Sequence, residues 1–386
     1  MRILIQLSQV IFYPLPKFVF LPKKIIMSIP AKYSIKSIKT FSENLELTRP
    51  YTIAYETFDS VENIFLMLET GSGIIGVGAG SPSAFVTGET MESAKEKLLE
   101  VASLLEGADL RKIQAIIQRI QELFPANPAV CAAADIALHD AFGKLLGLPL
   151  VDLWGRAHFS LPTSITIGIK SIEESVEEAK EYMQMGFKVL KLKTGKSVAE
   201  DVAIFTKIRE TVGRAIKIRV DANQGYTVEE TQNFYQQTEK LGLELIEQPM
   251  HYDRVAAMKK LPPNIRSICM ADENLKTMGH AVTLAQKPLH FGLYNIKLMK
   301  CGGIAAGRQI ASIANLADIG LMWGCMDESI ISITAALHAA LASPATKYLD
   351  LDGSLDLAKD IVKGGFILKD GVMSIGEGAG LGVTLL

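Results

Sequence analysis

The chain is poor in the residues that most directly announce a function. Its 386 residues include four cysteines, two tryptophans and six histidines. Cys131, Cys269, Cys301 and Cys325 are widely spaced and form no Cys-x-x-Cys pair. That argues against a zinc ribbon and predicts a reducing, cytoplasmic setting. No two histidines stand four residues apart, which disfavours a histidine-built metal site. Trp154 and Trp323 make no stacking series, and a net charge of −2 with both signs interspersed leaves no basic field for nucleic acid. A long apolar run is missing too. Residues 1–26 begin basic and apolar, in the manner of a signal peptide, but Pro14, Pro16 and Pro22 interrupt them and no small-x-small cleavage site follows. A membrane-spanning helix needs about 20 continuous apolar residues, so no membrane partner is expected. Residues 1–31 are read as an extension, disordered or a mis-called start ahead of Met27, with a signal peptide as the lesser alternative.

What is present is ordinary globular material, 48% hydrophobic and 21% charged, long enough for two domains or one large barrel with an appendage. Residues 32–160 read as an α+β unit. "YSIKSIKTF" and "ENIFLMLET" are strand-like, "GSG" at 71–73 is a turn, and helices are expected over 91–106, 110–123 and 128–146. From 161 to 353 the rhythm changes to short apolar strands alternating with amphipathic stretches. Eight such strands predict a (β/α)₈-type barrel with an abbreviated last helix. The tail, 354–386, carries a hairpin-like "GGFILKDGVMSI" and is expected to return to the first unit, so that the N-terminal part and the tail together cap the barrel.

In such a barrel the chemistry sits at the carboxyl ends of the strands. Asp221, Glu247 and Asp272 end strands three, four and five, 26 and then 25 residues apart, which is one β/α unit per step. Each acid alone reads better as a helix cap or a local ion-pair partner. Three in phase on adjacent strands require a cation, and an all-oxygen set favours Mg²⁺. Asn223 and Gln248 border them as supporting donors. Lys191 and Lys193 share one face of strand two, by the alternation of extended chain. Lys297 ends strand six, four units away across the barrel mouth. A lysine beside a divalent cation is expected to have a lowered pKa and so to serve as a base near neutral pH. Two such groups on opposite sides of one carbon would remove a proton from one face and return it on the other, which is racemisation or epimerisation.

These motifs resemble those of the enolase superfamily, muconate-lactonising-like subgroup, and within it the dipeptide epimerases. The resemblance runs from about Lys32 to the end, through "KLK" at 191–193, "DANQG" at 221–225, "EQP" at 247–249, "ADE" at 271–273, "KLMKCGG" at 297–303, "GCMDES" at 324–329 and "DLD" at 350–352. It implies one Mg²⁺ held by Asp221, Glu247 and Asp272. It also implies Lys193 and Lys297 as the acid/base pair, with Lys191 stabilising charge at the substrate carboxylate. The implied reaction is inversion of the α-carbon of a dipeptide's C-terminal residue. The implied partner is a small dipeptide, and the family's barrels are often homo-oligomers. Asp350 and Asp352 would take the dipeptide's ammonium group, with Thr166 and Glu328 as further substrate contacts. Relatives acting on L-Ala-D/L-Glu carry an arginine in the first lid loop. Here "LTRPYTIAYET" puts Glu56 there, and "GCMDES" puts Asp327 where an apolar residue is common. The inverted charge predicts a preference for cationic dipeptides. The alternatives are an L-Ala-D/L-Glu epimerase, an N-acyl amino acid racemase or cycloisomerase, or a non-catalytic carboxylate-binding member.

Overall fold

A computed structural model describes residues 29–48, 51–52, 57–58 and 60–386. Residues 1–28 of the extension, Arg49 and Glu56 lie outside the described residues.

The first unit is a three-stranded antiparallel sheet, Ile35–Asn44, Glu62–Thr70 and Ile75–Gly80, covered by helices Met91–Leu105, Ile113–Leu123 and Pro128–Leu146. The sequence "GVGAG" at 76–80 has a packing reason. Gly76, Gly78 and Gly80 share one strand face, and the helix Pro128–Leu146 lies directly against it. A Cβ on Gly78 would fall 1.9 Å from the Ala133 carbonyl oxygen, and Gly76 and Gly80 meet Ala137 and Ala129 in the same way. The strand period of two and the helix period of four residues run in step, so glycine opposes alanine three times at backbone contact.

The second unit is an eight-stranded parallel sheet in sequential order: Ile165–Ile167, Val189–Lys193, Lys217–Asp221, Leu243–Glu247, Cys269–Ala271, Leu293–Ile296, Gly320–Gly324 and Thr346–Asp350. These are strands one to eight of the barrel. The ring closes where Ser164 N–H donates to the Leu349 carbonyl, 3.1 Å, beside a parallel bridge from Thr163 to Leu349. Helices follow strands one to seven. After strand eight the chain turns at Gly353 and runs to Val362–Gly364 without a helix, in agreement with an abbreviated last unit. Inward positions recur every second residue, as the pleat requires. Leu245, Met270, Leu293 and Met322 fill the lower interior with Tyr348 against them.

The tail's hairpin, Phe366–Lys369 with Val372–Ile375, pairs with Ser160–Pro162 at the entrance to the barrel. Further on, Leu381 N–H donates to Asp140 Oδ1 of the capping helix, 2.8 Å, and Gly380 bridges Pro149. A second tie joins the units. Asp135, in the same helix, accepts from the N–H groups of Ile304 and Ala305 at 3.0 and 3.1 Å, capping the helix Ile304–Leu316. No helix among the described residues is long and apolar enough to cross a membrane.

Candidate active site

A cavity of about 1350 Å³ opens at the carboxyl ends of the barrel strands. The capping unit contributes Ser81–Val86 to its rim, and the helix Ile172–Gln184 contributes an acidic edge that includes Glu178 and Glu181. Register sets the floor. Lys193 pairs with Asp221, and Asp221 with Glu247, so lysine and carboxylates stand level on strands two, three and four. Asp272 follows strand five by one residue and Lys297 follows strand six by one residue.

The charges are buried and tightly matched. The Lys191 ammonium lies 2.7 Å from Asp350 Oδ2, 2.7 Å from Glu247 Oε2 and 3.2 Å from Asp221 Oδ2. Lys193 reaches Asp221 Oδ2 at 2.7 Å, and Lys297 reaches Asp272 Oδ2 at 3.0 Å. Burial opposes charge on Lys191, but Asp350, Glu247 and Asp221 outweigh it and hold its pKa well above the ordinary value. Burial likewise opposes charge on Lys297, and Asp272 and Glu247 hold it up. In both cases the neighbouring carboxylates hold the ammonium group charged. Asp221 and Asp272 are driven below the ordinary carboxylate range; burial would raise them, and the lysines prevail. Glu247 goes the other way, pushed up to about 7 by burial and then by Asp221.

Among the described residues no three acidic, histidine or cysteine side chains are grouped so as to hold a metal ion; Asp221, Glu247 and Asp350 meet instead at the Lys191 ammonium. The donor set still fits a hard divalent ion. It is all oxygen on adjacent strands, and Asp221, Glu247 and Asp272 are all buried. Hard divalent ions take carboxylate oxygens of this kind, and the positive charge now beside these carboxylates comes from lysines.

The other expected residues divide. Asp352 lines the cavity, accepts from Thr166 N–H at 2.8 Å, and is pushed up to about 7 by burial and Asp350. Asp350 is already engaged on both oxygens, by Lys191 at 2.7 Å and the Ser164 hydroxyl at 2.6 Å. Of the pair, Asp352 is therefore the one better placed for an incoming ammonium group. Asp327 lines the cavity, and its carbonyl accepts from the Ser81 hydroxyl of the rim, 3.1 Å. Glu328 does not line it. Its side chain is buried and turns back to accept from Met326 N–H at 2.8 Å, and burial pushes it up to about 7. Gln248, expected as a donor toward the carboxylates, instead accepts from the Asp272 N–H at 2.9 Å and donates to Met250 O and Asn274 Oδ1. Asn223 lines the cavity, and its backbone N–H supports Asp221 Oδ1 at 3.0 Å.

Glu273, beside Asp272 at the end of strand five, accepts from Gln224 at 3.1 Å. Two polar residues escaped the reading of the sequence: Asn295 donates to Glu247 Oε1 at 2.5 Å, and Lys300 bonds Asp272. Asn295 carried a signal, since it sits two residues before Lys297 on the inward face of the same strand. Lys300 carried none, because a helical turn, Leu298–Cys301, brings it back to strand five.

A barrel with lysines facing one another across buried carboxylates defines an acid/base enzyme acting at the strand ends. Residues 35–155 match the family described as mandelate racemase / muconate lactonizing enzyme, N-terminal domain, and residues 174–386 match the enolase C-terminal domain-like family. The chain belongs to the enolase superfamily. It is 53% identical over 350 residues to an L-Lys-D/L-Arg epimerase of Desulforapulum autotrophicum, covering 90% of this chain and 99% of that protein. It is 48% identical over 352 residues to an L-Lys-D/L-Arg epimerase of Methylococcus capsulatus, covering 91% and 99%. The structure of a dipeptide epimerase from Methylococcus capsulatus, complexed with Mg and the dipeptide L-Arg-D-Lys, superposes with a TM-score of 0.89 at 46% identity, covering 91% of this chain and 99% of that one.

Proposed function

We propose that the protein is a Mg²⁺-dependent dipeptide epimerase that inverts the α-carbon of the C-terminal residue and prefers dipeptides with cationic side chains. The observation that carries this reading is the placement of Lys193 and Lys297 on strands two and six, four units apart in a ring of eight, with buried carboxylates between them. Inversion needs a proton acceptor on one face of a carbon and a donor on the other, and a pair of lysines so placed supplies both.

Asp221, Glu247 and Asp272 would hold the Mg²⁺, which when bound supplies positive charge at the substrate carboxylate and eases loss of the neighbouring proton. Lys193 takes or returns the α-proton from the strand-two side, and Lys297 does so from the strand-six side. Lys191, fixed among three carboxylates, keeps a permanent positive charge at the floor. Asp352 receives the dipeptide's free ammonium group at the rim, which an N-acylated amino acid lacks. Asp327 contributes negative charge at the rim, the sign that favours lysine or arginine over glutamate. The names of the two relatives and of the ligand in the Methylococcus structure support the same preference.

The test is a dipeptide library incubated with enzyme and Mg²⁺ in D₂O, with α-deuterium read by mass spectrometry. Exchange is expected in dipeptides carrying lysine or arginine. Absence of exchange across the library would overturn the epimerase reading. Exchange confined to acidic or apolar dipeptides would overturn the cationic preference alone.

A further inference from the structure

Strand six does more than present Lys297. Two of its neighbours in sequence reach back to the carboxylates of strands four and five, and each takes only one of the two oxygens. Asn295 is fully buried and donates through Nδ2 to Glu247 Oε1 at 2.5 Å. Glu247 Oε2 is left to face the Lys191 ammonium, 2.7 Å away. The space for this amide exists because residue 324, on the next strand, is glycine; a Cβ there would lie 2.5 Å from Asn295 Oδ1.

Lys300 is the second prong. It is buried, and its ammonium donates to Asp272 O at 2.6 Å, to Asp272 Oδ1, and to Asn295 O at 3.4 Å. An ammonium group has three N–H bonds, and fixed protein acceptors take all of them. Lys300 is thus locked to the backbone and side chain of Asp272 together, which sets the rotation of that carboxylate. Asp272 Oδ2 remains, facing Lys297 at 3.0 Å.

We propose that Asn295 and Lys300 are positioning residues: they clamp Glu247 and Asp272 by one oxygen each, so that the opposite oxygen of each carboxylate is held toward the cation. The proposal rests on the reading of those carboxylates as Mg²⁺ ligands. The groups that orient a metal's ligands govern its affinity, typically by 10–100-fold. Strand six then couples the two halves of the reaction, since the segment that carries one acid/base lysine also aims two of the three ligands.

The test is made on the full chain without dipeptide. Mg²⁺ affinity is measured by titration calorimetry for the wild type, Lys300→Met and Asn295→Ala, and Mn²⁺ occupancy is followed by electron paramagnetic resonance. The clamp predicts binding weaker by about 10–100-fold in each variant, with an altered spectrum of bound Mn²⁺. The sign is decisive for Lys300. A lysine that acted only as a nearby positive charge would repel the cation, and its removal would tighten binding. Binding that is tighter, or within twofold of wild type, overturns the proposal, as does a lowered melting temperature with unchanged affinity. Should Lys300→Met fail to fold, Asn295→Ala decides alone. A wild type that binds no Mg²⁺ overturns the ligand reading and the clamp with it. A wild type that binds Mg²⁺ but exchanges no dipeptide overturns only the epimerase reading.

Discussion

Replacing Lys297 by methionine keeps most of the side chain's length and removes its charge, and the structure sets what should follow. Asp272 loses the ammonium 3.0 Å from Oδ2 but keeps Lys300 on its other oxygen. The structural loss is therefore one charge-assisted hydrogen bond, about 1.5–3 kcal/mol, rather than the roughly 3–5 kcal/mol of a buried charge abandoned altogether. The fold survives that. Catalysis does not, since a positioned acid/base group contributes about 10²–10⁴-fold. The loss is also one-sided. Lys193 still stands on strand two and can take the α-proton of the epimer that presents it there, then return a solvent deuteron to the same face. In D₂O, with Mg²⁺ and each epimer supplied separately, one epimer of the Lys297→Met variant should exchange its α-hydrogen with retention and the other should be inert. Inversion should fall in both directions by about 10²–10⁴-fold. Proton NMR follows the exchange, and chiral chromatography follows the inversion. Equal exchange from both epimers would refute the two-sided arrangement. So would silence from both in a variant that keeps its Mg²⁺ affinity and melting temperature.

Asp327→Asn should lower kcat/KM on lysine- and arginine-containing dipeptides by roughly tenfold, about 1.4 kcal/mol, and leave apolar dipeptides within about twofold; steady-state kinetics on matched pairs check this. Glu328, buried and raised to about 7, should give a stability term with a defined sign. A carboxyl whose folded pKa lies above its unfolded value stabilises the fold below about pH 4.5 and loses that contribution as pH rises through about 7. The stability of wild type relative to Glu328→Gln should therefore fall across that window, by on the order of 3 kcal/mol, as calorimetry at stepped pH would report. Gly78→Ala places a methyl group on the Ala133 carbonyl, where the ideal Cβ distance is 1.9 Å. It should cost at least the 1–3 kcal/mol typical of overpacking, and an unchanged melting temperature would contradict the contact.

The barrel was legible because its strands are short, apolar and regularly spaced, and because acids at three consecutive strand ends leave little choice of register. Lys297 could be placed opposite Lys193 by counting units. Lys300 could not be interpreted in that way, since its partner Asp272 belongs to another strand and is reached only after a turn whose direction the sequence leaves open. Glu328 shows the converse limit. Its neighbour Asp327 lines the cavity, and a loop without period gives no rule for which of two adjacent acids faces in. Asp350 and Asp352 do alternate onto one face, but spacing alone could not tell that Lys191 and Ser164 already occupy Asp350.

The carboxylate of Asp135 works as a key between the two units. It belongs to the capping helix, yet it closes the start of the helix that directly follows the segment bearing Lys297 and Lys300. Gly303 leaves it the necessary room, for a Cβ there would lie 2.6 Å from the Asp135 Cβ. A cap fastened at that point cannot swing as a free door without unseating the very turn that follows Lys297. Traffic of dipeptides is thereby assigned to the short rim segments, and the bulk of the cap becomes part of the frame. Exchanging rim segments between relatives would then retune which side chains are admitted and leave the proton-transfer machinery in register.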